Sequence, residues 1–419
     1  MKSENLTIVI AIPIFMILVL LEYWAMRKKD AQYYRMNDAI TNLNIGIGHV
    51  LSKVIVGVLL VGIYKYTFSW RLLSMSSNIW TFLFCLVAYD FFFYWAHRWG
   101  HEMNIFWGAH GVHHQSEDYN LSVALRQSWI HAVLAFFIFL PIPLIGVPSK
   151  VFFSILSINS FYQFWIHTDL IKRMPKWFEY IFNSPAHHRV HHGRDKKYID
   201  RNHAGMFIIW DKMFGTFQEE EETPNYGITK PLNSWNPAWA NVEYYVGMAQ
   251  LSSKMTKLKD KFKLLVAKPG WRPEELGGQI PVPEIDPAYK KYDAKAISRG
   301  LNWYVFVQFA FIIAGLSAYM YHFEHLPLFY KILGFGMIML SIVITGAILE
   351  DKAWVKYAEY ARLLIAFIGL NSLYYLNYNP WFYFVLIPSC ILTAYFMAWF
   401  ALNTHNIHLI KVPAVNDKN

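Results

Sequence analysis

The 419 residues are 55% hydrophobic, 18% aromatic and only 16% charged, which excludes a disordered chain and an ordinary soluble globule and points to a membrane protein. The net charge of +9 calls for no nucleic acid, because no nucleic-acid-binding motif is present and lysines beside an anionic cytosolic leaflet account for it. Cys85 and Cys390 each sit in an apolar run, so neither a disulfide framework nor a thiolate metal site can be built from them.

Residues 6–24 (LTIVIAIPIFMILVLLEYW) make a helix of about 28 Å at ~1.5 Å per residue, close to the roughly 30 Å of bilayer hydrocarbon. Basic residues follow this run and no small-residue cleavage site appears, so it reads as an uncleaved anchor and not a signal peptide. Apolar stretches at 45–64, 78–96, 129–147, 150–166, 301–321, 328–349, 361–377 and 381–402 bring the expected spans to about nine. His49 and Lys53 interrupt the second, and Pro141 and Pro143 the fourth. Arg27, Lys28, Lys29 and Arg35 follow the first span, and Lys352, Lys356 and Arg362 flank the link between the seventh and eighth, which assigns both links to the cytosol. Threading the chain then puts 97–128 and 167–300 on that side, and the second of these holds 21 of the 38 Lys and Arg.

The expected fold is therefore an all-α integral membrane protein with a cytosolic helical cap. Its parts are a membrane-embedded core over 1–230, a cytosolic interfacial segment and linker over 231–300, and C-terminal transmembrane helices over 301–404. In the middle part Met255, Leu258, Phe262 and Leu265 share one helical stripe ringed by Lys254, Lys257, Lys261 and Lys268, as in an interfacial helix; a solvated charged face is the alternative. Glu219 to Glu222 read as a solvated loop, and 271–287 as a Pro-rich extended linker.

Of the 17 histidines, 12 fall between His97 and His203, more than packing explains. A helix continuing from the third span puts Asp90, Tyr94, His97 and His101 on one stripe. His110 stands three and four residues before His113 and His114, and the same spacing recurs in His188, His191 and His192. One such box is a weak signal, whereas three on one membrane face are a strong one. Eight clustered imidazoles are costly to assemble without a cation. They also exceed the ligand number of one zinc-like site, so two metals are expected, and the donors alone suit iron, zinc or copper. His167, at the cytosolic end of the fifth span, and His187, beside the third box, are further candidate ligands. A neighbour on a helix points about 100° away, so one of His187 and His188 is expected behind the ligands. His203 reads as a loop residue; His49, His131, His322, His325, His405 and His408 receive no role.

At this point the residues resemble the fatty acid hydroxylase and sterol desaturase superfamily of membrane di-iron enzymes. Its ordered set H-x3-H, H-x2-HH, H-x2-HH is matched by His97/His101, His110/His113/His114 and His188/His191/His192. The stretches HEMNIFWGAHGVHHQSEDYNLSVALRQS, FYQFWIHTDL and SPAHHRVHHGRDKKYIDRNHAGMFIIWDKMFGTF are similar to its alkylglycerol monooxygenase branch, over about residues 30–230. Histidine at 203 departs from the tyrosine more usual there. The resemblance implies two iron ions, molecular oxygen as co-substrate and, for this branch, reduced tetrahydrobiopterin. It implies an alkyl ether lipid drawn from the bilayer, hydroxylated at the carbon bearing the ether oxygen to a hemiacetal that collapses to fatty aldehyde and a glycerol hydroxyl. No cytochrome b5-like segment is visible, so an external donor, a reduced pterin or a redox protein, is expected to supply electrons.

Asp90, Glu117 and Asp118 are the candidate catalytic residues beside the metal ligands. Asp90 is expected to accept the second ring N–H of a ligand histidine, or else to be a hydrogen-bonded polar residue of the bundle. Glu117 and Asp118, with Glu102, are expected behind the ligands or against the pterin, with helix capping by Ser116 and Asp118 as the alternative. Arg126 and Gln127 are placed to meet a lipid headgroup or cofactor, or to anchor the chain at the interface. Trp210 and Asp211 are expected to close the cap. A sterol, fatty acyl or carotenoid hydroxylase or desaturase would use the same site, since apolar pockets discriminate such substrates weakly. A metal transporter fits poorly, because the boxes lie at the membrane boundary in fixed chelating registers and mid-span carboxylates are scarce.

Overall fold

A computed structural model describes residues 2–28, 34–293 and 297–404; Lys29, His405 and His408 lie outside them. All regular structure among the described residues is helical, with isolated bridges between Phe182 and Phe207 and between Gly193 and Tyr226. The chain divides into two compact units, one made of residues 15–233 and 238–292, the other of residues up to 14, 234–237 and from 293 onward.

The first unit is built on long helices. α1 (Lys2–Arg27), which belongs to this unit from Phe15 on, is followed by α2 (Met36–Ser69) and α3 (Ile79–Glu102), the last opened by the Asn78 side chain accepting from the Thr81 N–H. α2 is 34 residues long, about 51 Å. That exceeds a bilayer core, and its first four turns bury Asp38, Thr41, Asn42 and Asn44 at the histidine end. α4 (Asn104–His114) turns back against α3, and α5 (Leu121–Ala124) leads to a broken segment made of α6 (His131–Phe136), a 3-10 turn and α7 (Pro141–Ile145). Pro141 has no N–H to continue the helix, and Gly146 ends α7 at φ +119, with the Leu73 carbonyl where a Cβ would stand. α8 (Ser149–Trp165) returns to the histidine end. Tyr64, Tyr89, Phe136, Phe139, Phe152 and Ile155 close the apolar core between α2, α3 and α6–α8. Beyond it follow α9 (Lys176–Ile181), α10 (Pro185–His191), α11 (Ile209–Phe214), α12 (Pro237–Ser253) and α13 (Leu258–Val266).

The second unit packs α14 (Arg299–His322), α15 (Leu328–Leu349), α16 (Val355–Asn377) and α17 (Phe382–Thr404). Buried within it, Arg362 donates to Glu359 (2.6 Å), Gln308 (2.7 Å) and Ser341 (3.2 Å), and the Tyr304 hydroxyl also donates to Glu359.

Among the described residues six helices are long and apolar enough to cross a bilayer, where nine spans were expected, and the chain is a multi-pass membrane protein. The expected stretch 129–147 is broken at its prolines, 150–166 forms a helix of 17 residues, and 361–377 lies in α16 with its buried ion pair. The broken segment still runs the length of its unit. It starts at the histidines with His131, and its far end accepts from the α2–α3 link, Leu72 N–H to Leu144 O at 2.8 Å and Leu73 N–H to Ile145 O at 3.1 Å.

Candidate metal centre

Four pieces of chain converge on one buried volume: the end of α3, α4, the residue pair after α8, and α10. α10 begins at Ser184, whose hydroxyl accepts from the His187 N–H, with Pro185 preset for the first turn. Three- and four-residue spacing on α4 and α10 then aims imidazoles of one face inward. His97, His101, His110, His114 and His191 form one group and His113, His167, His188 and His192 a second; within each group, one nitrogen per ring lies within 4.8 Å of all the others. The groups adjoin, with the His114 and His192 rings stacked at 4.3 Å and His188 and His191 at 5.0 Å.

The tautomers follow from the outer hydrogen bonds. His97 Nδ1 meets the His203 carbonyl (2.8 Å), His113 Nδ1 the Arg126 carbonyl (3.0 Å), His167 Nδ1 the Gln163 carbonyl (2.5 Å) and His191 Nδ1 the Arg201 carbonyl (3.0 Å). A carbonyl only accepts, so each Nδ1 carries the proton and each Nε2 presents a bare lone pair inward. His113 and His167 therefore face one another lone pair to lone pair across 3.1 Å, and His97 Nε2 lies 3.0 Å from His110 Nε2. His101 Nε2 and His191 Nε2 are buried without a hydrogen-bond partner. Such an array is repulsive and unsatisfied as protein alone and is what a cation resolves, so the donor set fits a pair of metal ions. Burial first, and crowding by neighbouring imidazoles second, push His110, His114, His188, His191 and His192 well below the usual histidine range; burial brings His113 down to about 4. The rings are kept in the neutral form that ligates.

All eight box histidines and His167 are thus brought together. His187 is not: its ring packs edge-on against Phe217 at 5.4 Å, outside both groups. Asp90 takes no ligand ring. Its carboxylate accepts from Met206 N–H (2.6 Å), Phe207 N–H (2.9 Å) and Trp210 Nε1 (3.0 Å), where the missing Cβ of Gly205 admits it. Glu117 accepts from the Tyr289 hydroxyl and from Tyr292 N–H (2.6 Å), while Asp118 pairs with Arg35 (3.0 Å) and Lys291 (2.8 Å). The two carboxylates strap segment 289–292 to the loop after α4. Glu102 lies with Arg98 (3.3 Å). Arg126 ties the end of α4 to α2, donating to Val112 O (2.6 Å), Gln115 (2.6 Å) and Asn42 (3.0 Å), and burial lowers its pKa to about 10. Gln127 donates to Ala124 O (3.2 Å).

Three residues take places that sequence reasoning did not give them, although Asp211 was expected to close the cap. His203, read as a loop residue, is fully buried with its ring 5.0 Å from that of His101. Asp211 braces the same loop, accepting from His203 N–H and Ala204 N–H, each at 2.8 Å, and from the Thr216 hydroxyl at 2.6 Å. Arg189 is buried on α10, paired with Glu220 (2.6 Å) and donating to Ile171 O (2.8 Å) and Lys172 O (2.6 Å). It fixes the third box against the loop that follows His167. An arginine in the middle of HHRVHH was the one available signal.

A membrane-embedded helical frame holding two adjoining imidazole groups is the architecture of a histidine-box protein able to hold metal. The signature of the fatty acid hydroxylase family matches residues 82–216, which contain all nine converging histidines. The chain is 35% identical over 371 residues to alkylglycerol monooxygenase of Xenopus tropicalis, covering 87% of this chain and 81% of that protein. It is 34% identical over 362 residues to that of Homo sapiens, covering 85% and 80%. Ornithine lipid hydroxylase of Rhizobium tropici is 29% identical over 147 residues, 34% of this chain and 44% of that protein. No solved structure matches. The chain belongs to the fatty acid hydroxylase family, on its alkylglycerol monooxygenase branch, and is an oxidoreductase of the monooxygenase class.

Proposed function

We propose that the chain cleaves the O-alkyl bond of ether glycerolipids. The observation that carries this reading is the pair of imidazole groups in a chain that matches alkylglycerol monooxygenases over four-fifths of their length. His97, His101, His110, His114 and His191 would hold one iron ion, and His113, His167, His188 and His192 the other. Bound there, iron supplies the redox change that activates molecular oxygen, which imidazole alone cannot provide. The chain's own contribution is to hold the rings neutral and rigid, to bury the site from water and to seat the lipid.

In balance, one oxygen atom enters a C–H bond of the carbon next to the ether oxygen. The other leaves as water, on two electrons and two protons from an external donor, a reduced pterin such as tetrahydrobiopterin. The resulting hemiacetal passes its hydroxyl proton to the ether oxygen as the C–O bond breaks, giving a fatty aldehyde and a free glycerol hydroxyl. Sterol and fatty acyl oxidation rest on weaker ground, because a human lathosterol oxidase matches over only 36% of this chain.

The site is proposed to face the cytosol. Glu22 of α1 accepts from Thr168 (2.5 Å) and Leu121 N–H (2.7 Å), and Arg35 pairs with Asp118, so the basic α1–α2 link lies at the histidine end. The segment from α6 to α8 leaves that end and returns to it, so whether it crosses fully or not, both histidine regions stay on one side.

The test is anaerobic purification with metal counting, then addition of oxygen, tetrahydrobiopterin and a 1-O-alkylglycerol with aldehyde read by mass spectrometry. Aldehyde requiring both oxygen and pterin, from protein with about two irons per chain, is expected. None from an iron-loaded preparation would move the assignment to a sterol or acyl substrate.

A further inference from the structure

α2 carries a basic residue, Lys53, where the helix is otherwise apolar (LSKVIVGVLLVG). Its side chain is exposed, and it makes no hydrogen bond or ion pair with any described residue. An ammonium group at membrane depth is costly and marks a place where an ion, a ligand or water is met.

Three placements tie this cation to the metal centre. Lys53 follows His49 by one turn on the same face of α2. That face rests on the segment leading into α6, with His49 Nδ1 donating to the Ser128 carbonyl at 2.7 Å and Trp129 Nε1 donating to Ile45 O at 3.0 Å. α6 then opens with His131, whose ring lies 5.7 Å from that of His110, and the Lys53 charge is within electrostatic range of both His49 and His131.

We propose that His49, Lys53 and His131 form a headgroup subsite beside the metal centre, which takes the phosphate of an anionic ether lipid. This rests on the ether-lipid reading above. Lys53 supplies the charge, and the two imidazoles supply hydrogen bonds nearer the reacting carbon.

The test compares a 1-O-alkylglycerol with its 3-phosphate, using the iron-loaded full chain. Lys53→Met is expected to lower the ratio of kcat/KM for the phosphate lipid over the neutral lipid at least tenfold, chiefly through KM, and Lys53→Arg to keep it. An alkyl phosphate without an ether bond gives a second measurement independent of turnover: it should inhibit the wild type and lose potency by a similar factor on Lys53→Met. Equal losses on both lipids, or none, overturn the subsite and make Lys53 an interfacial anchor. Inorganic phosphate inhibiting as strongly as the alkyl phosphate overturns the assignment to a lipid. Turnover of neither lipid by the iron-loaded wild type overturns the ether-lipid reading itself, and the subsite with it.

Discussion

At the scale of single residues, the division of labour among histidines is set by which ring nitrogen the backbone claims. His167 lies outside the three boxes, yet its Nδ1 is held by the Gln163 carbonyl and its Nε2 lies 3.1 Å from His113, 3.0 Å from His188 and 3.2 Å from His192. His187 is chemically identical and next to a box residue, yet packs on Phe217. His167→Ala is expected to lose one metal of the pair and more than roughly a hundredfold in activity, beyond what changes behind a ligand typically cost. His187→Ala is expected to keep both metals. Metal counting by mass spectrometry on the two purified variants separates them, and metal loss from His187→Ala with full retention in His167→Ala would reverse the assignment. The boxes were legible because chelating register on one helix is local, fixed by spacing of three and four. Asp90, Arg126, Arg189 and Asp211 were not legible in their actual roles, because their partners depend on loops whose course the chain does not announce. Asp90, for instance, is satisfied by Met206 and Phe207, more than a hundred residues away.

Among the helices, composition foretold existence better than extent. The prolines in 129–147 did break the segment, but only the pairing of Leu72 and Leu73 with Leu144 and Ile145 shows that the broken piece runs to the α2–α3 link. α13 differs from the expected stripe in one respect: Met255 is buried, while Leu258 (66% exposed), Phe262 (64%) and Val266 (55%) point outward. The opposite face buries Leu264 and is latched to α4 by Asn104, whose side chain donates to Leu264 O at 2.9 Å and Lys268 O at 3.2 Å. Exposed apolar residues ringed by Lys257, Lys259, Lys261 and Lys263 suit the headgroup region of an anionic leaflet. A tryptophan in place of Phe262 is therefore expected to be quenched by lipids brominated near the headgroup, more strongly in anionic than in neutral bilayers. Fluorescence unaffected by brominated lipid would leave α13 as a solvated helix.

For the whole molecule, the candidate metal centre is the place where α3, α4, the end of α8 and α10 meet, so its protonation bears on the stability of the first unit as well as on the proposed reaction. The sign can be worked out for His113. Its ring titrates near 6.5 in the unfolded chain and is brought down to about 4 in the fold by burial. Between those values the unfolded chain binds more protons than the folded one, so stability falls as pH falls. The contribution is fully present above about pH 6.5 and is lost progressively on acidification toward pH 4. His110, His114, His188, His191 and His192 shift in the same direction from the same cause, and metal held there would sharpen the effect, because proton and metal compete for one Nε2 lone pair. Detergent-solubilised protein is expected to hold a constant thermal midpoint above pH 7 and to lose it steeply below about pH 6, releasing metal over the same interval. Stripping metal with a chelator at neutral pH should lower the midpoint and flatten the acid limb, leaving the slope that burial of neutral rings alone produces. A midpoint that stays level from pH 8 to pH 5, with metal retained, would mean that neither the burial nor the metal couples these four elements into one folding unit.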